Sequence, residues 1–416
     1  MTGFSLPIQA VSGGGFTAWL VEDHSVPVVS LAWSWPGGAA LDLPGAEGAT
    51  SLAMSLLTSG AGDLEETALA EALRDAAISL SFGADRDEAE GSFRCLADAL
   101  PEALRLARLC MTAPRLDAQP FERGRAQALT RARSALETPR GRASRAFWPL
   151  AFPDHPVARP TGGTEDSLPG LDTAALRAAL ALQLRQGGLL IAAAGAITPA
   201  QLSALLPALF GDLPAGAPPR VPPLPNPTNF GQKVVPIEAP QSFAIFAQPG
   251  LAVADPDWEA AQVVLRILGG GGFTSRLMDE IRTKRGLTYG ISTGFDTLFG
   301  EGIVIGTVAT ENARMAETIA LLRHEWARMA EAGPTSAELA DAVAFLTGNQ
   351  PLQFTDSRRI AGGLLALRRN GRPMDWLDRR PERLAALTEP DTTRVAARLL
   401  QPQALSVLVA GQPVGL

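Results

Sequence analysis

Apolar positions along this chain follow two periods, and the places where one gives way to the other outline its architecture. In "LPEALRLARLCMTAP" and "ARMAETIALLRHEWARMAEAG" they recur every three to four residues, as on the buried stripe of a helix. In "SFAIFAQPG", "GGLLIAAAG" and "ALSVLVAGQP" short apolar runs stand beside glycine and proline, as in buried strands. Thr198, Pro199 and Gln201 fit a capping box with proline at the first helical position, so "LLIAAAGAITPAQLSALL" predicts a buried strand leading into a helix.

These patterns occur twice in the same order. Each half opens with extended runs, "FTAWLVEDHSVPVVSLAWSW" in the first and "SFAIFAQPG" in the second. A helix, two strands joined by a turn, another helix and a closing apolar strand follow. Between the halves, residues 213–233 are rich in proline and show no periodicity, which predicts an extended linker because proline fixes φ and removes donors. The expected division is therefore a first domain over 1–212, a linker over 213–233 and a second domain over 234–416. The expected fold class is α+β: two homologous α/β sandwich domains, each a mixed, mainly antiparallel sheet with helices packed on one face.

Composition narrows the function more than the fold. The net charge of -7 and the lack of any basic run argue against nucleic acid as a partner. No stretch of 18 consecutive apolar residues predicts a membrane span, and the N-terminus lacks a basic, then apolar, leader pattern. A cytoplasmic location is the expectation, with the periplasm as the other compartment open to it. Cys95 and Cys110 lack metal-type spacing and fit either reduced core thiols or one disulfide.

Candidate chemistry gathers in one stretch, "GGGGFTSRLMDEIRTKRGLTYGIS", residues 269–292, which contains the only tyrosine of the chain. Asp255 and Pro256 predict the start of a helix running through "WEAAQVVLRIL" into the glycine turn. A second helix, "SRLMDEIRTKR", has Leu277, Met278 and Ile281 on one side, and Gly286 ends it. "LTYGISTGF" alternates as a strand does. Arg282 is thus expected in the last helical turn and Tyr289 early in the strand. The glycines are not followed by the Lys-Ser/Thr of a phosphate loop, so a turn between helices is the better reading.

The order of elements, the linker and the 269–292 run together resemble the inverted-zincin metallopeptidases, the family of pitrilysin, insulin-degrading enzyme and the mitochondrial processing peptidase. The resemblance spans nearly the whole chain and includes "AWLVEDHSVPVVSLAWSWPGGAALD" and "AFPDHPVARPTGGTEDSLPGL". Active members have H-x-x-E-H on an early helix, whose histidines bind zinc and whose glutamate polarises the attacking water. The matching helix here is "EGATSLAMSLLTSGAGDLEET", with Gly48 and Gly60 as its landmarks. The resemblance then puts Ser51 and Ser55 at the histidine positions and Met54 at the glutamate position. The third ligand position, seven residues beyond Glu122 of the "ER" pair, falls on Leu129. The chain's three histidines, His24, His155 and His324, have no second histidine at helical spacing and read as surface or loop residues.

What the resemblance leaves is the arginine and tyrosine that the family's second half contributes, here Arg282 and Tyr289. Two such residues seven apart mean little alone; the surrounding run gives the match its weight. The resemblance thus implies a non-catalytic subunit of a heterodimeric zinc metallopeptidase. It would hold no cofactor itself, and a homologous zinc-bearing partner would supply the metal. Arg282 and Tyr289 would bind the peptide substrate and stabilise the tetrahedral intermediate in the partner's site. The alternative is a structural or scaffold member of the same family with no role in proteolysis. A self-sufficient hydrolase fares worse, since no G-x-S-x-G occurs and neither cysteine has a nucleophile context.

Overall fold

Eleven strands form two separate mixed sheets within residues 4–416, the part of the chain that the computed structural model describes. The first sheet contains β1 (Ile8–Gly13), β2 (Phe16–Glu22), β3 (Val28–Pro36), β4 (Ser79–Ala84), β5 (Glu88–Leu96) and β6 (Leu190–Gly195). Their order is β1-β2-β6-β3-β5-β4, with β2 and β6 parallel and the other pairs antiparallel. The second contains β7 (Gln232–Pro236), β8 (Gln241–Pro249), β9 (Ile291–Leu298), β10 (Glu301–Glu311) and β11 (Ser406–Gly411), in the order β7-β11-β8-β10-β9. Its only parallel pair, β7 with β11, stands where β2 and β6 stand in the first. The repeat visible in the hydrophobic pattern is thus a repeat of topology.

β2 and β3, consecutive in sequence, do not pair as a hairpin, because β6 inserts between the two strands and pairs with both. Its "LIAAAG" run is apolar on both faces, which suits the sheet interior better than an edge. His24 sits in the crossing link, its ring 2.9 Å from Glu22.

Alternation along the central strands splits their side chains between two cores. Leu31, Trp33, Ile191 and Ala193 join the main core of the first sheet, under helices Ala49–Ser55, Leu100–Thr112 and Pro199–Phe210. The last of these starts with the expected capping box, Thr198 with Gln201. Val21, Ala192 and Ala194 face the other way, onto Leu364, Leu365 and Leu367 of helix Ser357–Arg369. The alanines of β6 let that helix lie close. Arg368 then reaches the sheet, donating to the carbonyls of Thr17 and Ile191 at 2.6 Å each.

The second sheet is covered in the same manner. Phe246, Val304, Val407 and Val409 pack under helices Trp258–Leu265, Met315–Ala332 and Glu389–Leu399. Helix Pro139–Ala151 lies against β8 and β11, with Phe147 set edge-on to Phe230. Thr138 caps this helix, accepting from the Gly141 N–H at 3.1 Å.

The expected class, two α/β domains with mixed sheets, is therefore the observed one, with a single helix added on the opposite face of each sheet. That helix comes from the other half of the sequence in both cases. One compact unit comprises Met1–Arg133, Arg159–Pro222 and Gln350–Asp378; the other comprises Ser134–Ala158, Pro223–Asn349 and Arg379–Leu416.

Cys95 on β5 and Cys110 in helix Leu100–Thr112 are both free and buried. Burial pushes each thiol up to about 12. Both should therefore resist a thiol reagent at pH 8 in the native chain and react only on unfolding; rapid native labelling would contradict the packing. Leu364 is fully buried in the second-face cluster. Leu364→Ala should lower stability by about 3 kcal/mol in urea unfolding.

Candidate functional site

The positions that the resemblance assigns to zinc ligands, Ser51, Met54, Ser55 and Leu129, lie on two elements of the first unit. Helix Ala49–Ser55 is short, and its start is held by Asp42, whose buried carboxylate accepts from the Gly48 and Thr50 N–H groups at 2.9 Å. The Thr50 hydroxyl also donates to it, at 2.6 Å. Burial raises the Asp42 pKa above its ordinary value even against these bonds. The helix geometry for a metal pair is thus present, but its side chains do not fit one. Met54 is 0% exposed within the core. The Ser55 hydroxyl donates to the Leu52 carbonyl at 2.8 Å, and the Ser51 hydroxyl is buried without a partner. Leu129, on helix Ala118–Leu136, packs against the same core, while Glu122 pairs with Arg125 at 2.6 Å. A thioether, an alkyl group and two hydroxyls lack the imidazole and carboxylate donors that zinc takes.

The histidines do not substitute. His155 is buried rather than on the surface, and its Nδ1 accepts the Val157 N–H at 3.2 Å. His324 is exposed on helix Met315–Ala332. Among the described residues, no three His, Cys, Asp or Glu side chains are grouped to hold a metal ion.

The second unit contains the arginine and tyrosine. Helix Trp258–Leu265 begins two residues after its expected start, although Asp255 does accept the Asp257 N–H at 2.8 Å. It widens into a π turn over Arg266–Gly270. Gly269 is there for close approach: a Cβ would lie 2.7 Å from Thr293 Cγ2 and 3.1 Å from the Thr293 nitrogen on β9. A second π turn, Met278–Thr283, ends at Gly286 in the left-handed region with φ of 61°. Arg282 stands in that last turn, as expected. Tyr289 does not lie in the strand; it occupies a bend two residues before β9 begins at Ile291.

That bend is fixed from both sides. Leu287 and Ile291 are buried, and the Thr288 hydroxyl donates to the Ala309 carbonyl at 2.6 Å. Thr310 donates to the Leu287 carbonyl. Tyr289 between them is 87% exposed, and no hydrogen bond engages its hydroxyl among the described residues. Arg282 lies over the ring of Phe273 at 4.4 Å, and Phe273 is itself 67% exposed. Neither Phe273 nor Thr288 was singled out by the sequence reading, though one follows the glycine run and the other precedes the tyrosine.

The neighbouring cations are all engaged. Arg276 forms a two-pronged bond with Glu338 at 2.6 and 2.7 Å and donates to the Gly333 carbonyl at 2.9 Å. Lys284 and Arg285 hold Glu280, whose pKa falls to about 2 through Lys284 first and then Arg285. Among the described residues, no carboxylate lies within ion-pair distance of Arg282.

Two mixed sheets with helices, and non-coordinating side chains at the positions that the resemblance assigns to metal ligands, describe a metallopeptidase-like scaffold. A sequence profile described as the peptidase M16 inactive domain matches residues 173–346. A non-peptidase homolog of Helicobacter pylori, YmxG, is 24% identical over 334 residues, 80% of this chain and 77% of its own. An uncharacterized zinc protease of Mycobacterium leprae is 30% identical over 219 residues, 51% of this chain; this chain spans 48% of that relative's length. A crystal structure of a peptidase M16 inactive domain from Pseudomonas fluorescens superposes with a TM-score of 0.93 at 27% identity, covering 98% of this chain and 99% of that one. The chain is thus similar to the M16 peptidase family, the inverted zincins, and within it to the inactive domain and a non-peptidase homolog. Among the described residues, no helix is long and apolar enough to cross a membrane.

The geometry separates two kinds of residue by stability. Tyr289→Phe should leave unfolding free energy unchanged within about 0.5 kcal/mol, because its hydroxyl supports nothing in the fold. Glu338→Gln should cost roughly 3 kcal/mol by leaving Arg276 poorly paired. Burial pushes Glu338 up, but its bonds from Arg276 and Thr335 prevail and bring it to about 2. Its contribution is therefore complete above the ordinary carboxylate value and lost as pH falls through about 2. In hydrogen exchange, helix Ser336–Asn349 should lose protection across that window in the wild-type chain. In Glu338→Gln the same window should have less effect.

Proposed function

We propose that this chain is the non-catalytic subunit of a heterodimeric zinc metallopeptidase, and that Arg282 and Tyr289 complete the site of a partner with H-x-x-E-H. One observation supports this most directly: the fold uses neither functional group. Among the described residues the Tyr289 hydroxyl makes no hydrogen bond and Arg282 has no acidic partner, whereas Arg276, Lys284 and Arg285 beside them are engaged. Groups presented in this way, Tyr289 on a bend anchored by Thr288 and Arg282 in the turn before it, suit a ligand that arrives from outside.

Zinc bound by the partner would supply an activated water. The residues of this chain then act on the substrate. Negative charge develops on the scissile carbonyl oxygen, and the Tyr289 hydroxyl gives it a hydrogen bond. The Arg282 guanidinium donates to substrate backbone carbonyls through its in-plane N–H groups, while Phe273 supports its face. A donor held before the reaction loses little in reorganisation, which is the value of the fixed bend.

The scaffold reading draws on the non-peptidase name of the Helicobacter relative. The two part on activity. Mixed with a zinc-bearing homologue, the wild-type chain should raise peptide hydrolysis, and Tyr289→Phe should reduce kcat about 100-fold with KM little changed. Complex formation without any stimulation, or full activity with Tyr289→Phe, would support the scaffold instead.

A further inference from the structure

A second unpaired guanidinium lies on the far side of the glycine turn. Arg266, the first residue of the π turn, is half-buried, and its guanidinium carbon lies 3.4 Å from the centre of the Phe345 ring. Among the described residues no carboxylate or carbonyl accepts from it. Other sheltered arginines have such partners: Arg276 has Glu338, and Arg368 has two carbonyls. Burial lowers the Arg266 pKa. Stacking occupies only the flat face of the guanidinium, so its in-plane N–H groups remain free.

Arg266 and Phe345 line a cavity of about 290 Å³ together with Gly271, Thr274, Glu338 and Asp341. The two carboxylates differ. Glu338 is committed to Arg276 and Thr335, whereas Asp341 is exposed and has no ion-pair or hydrogen-bond partner among the described residues. One cavity thus offers an unpaired cation, an unpaired anion and a partly exposed aromatic ring, and the two charges do not pair with each other. A simple anion would meet Arg266 but also the field of Asp341. A molecule with both signs satisfies both.

We infer that the cavity bounded by Arg266, Asp341 and Phe345 binds a short zwitterionic peptide, its carboxylate on Arg266 and its ammonium on Asp341. The ring of Phe345 and the wall at Thr274 flank the peptide between its two ends. Neither Arg282 nor Tyr289 lines this cavity, and its binding requires no metal-bearing partner.

Titration calorimetry of the full chain alone tests it, with the dipeptide Ala-Leu, its N-acetyl and C-amide forms, and inorganic phosphate. Ala-Leu should bind saturably, and capping either end should weaken it at least about tenfold. Arg266→Gln should abolish the effect of amidation, and Asp341→Asn the effect of acetylation. Phosphate should compete poorly. Equal binding of free and capped peptides, no saturable binding, or phosphate competing as well as the peptide would each overturn the proposal. Because the titration uses the chain without a partner, it can fail while the subunit reading stands, and the reverse.

Discussion

A strand that is apolar on both faces must be covered twice, and this requirement organises the molecule. β6 sends Ile191 and Ala193 into one core and Ala192 and Ala194 into another. β11 does the same with Val407 and Val409 on one face and the buried Leu408 and Ala410 on the other. Water on either face would forfeit roughly 25 cal/mol for each Å² of apolar surface. The main helices of each half serve one face only. The second cover is helix Ser357–Arg369 in one unit and helix Pro139–Ala151 in the other.

The same rigidity sets the candidate site. β9 ends its sheet, and the glycine turn packs on it at Thr293 because Gly269 has no side chain to hold it away. Buried Leu287 and Ile291 then bracket the bend, leaving Thr288 to pin it and Tyr289 to project. Charge is divided with similar economy. Arg276 ties the 273–285 segment to Glu338 outside it, while Lys284 and Arg285 close ion pairs within the segment. Arg282 and Arg266 rest on aromatic rings instead, which keeps a guanidinium in place without neutralising it.

Most elements were legible in the sequence, because periodicity records which positions are buried. It does not record what buries them. The stripe of helix Ser357–Arg369 announces an apolar contact, yet nothing local says that the contact is the sheet of the other half. For the same reason β2 and β3 read as neighbours, although a strand more than 150 residues later separates them. The Thr198 cap was legible to the atom, being a purely local device. At the site, Arg282 and Tyr289 were found by motif, while Phe273 and Thr288 acquire their roles only through contacts across a turn or a sheet. His155 reads as a loop residue by its neighbours Pro153 and Pro156, but the fold buries it.

The exchanged helices also bear on how the chain comes to exist. A ribosome delivers residues in order, and the first sheet is complete in sequence once β6 has emerged at residue 195. Its second face still has no cover until Ser357–Arg369 appears, more than 160 residues later. Val21, Ala192 and Ala194 must wait through that interval as an open apolar surface. Helix Pro139–Ala151 waits in turn for strands not yet made. The nascent chain therefore cannot finish its first domain before it has nearly finished its second, and a chaperone that shelters exposed sheet would find its substrate in that interval.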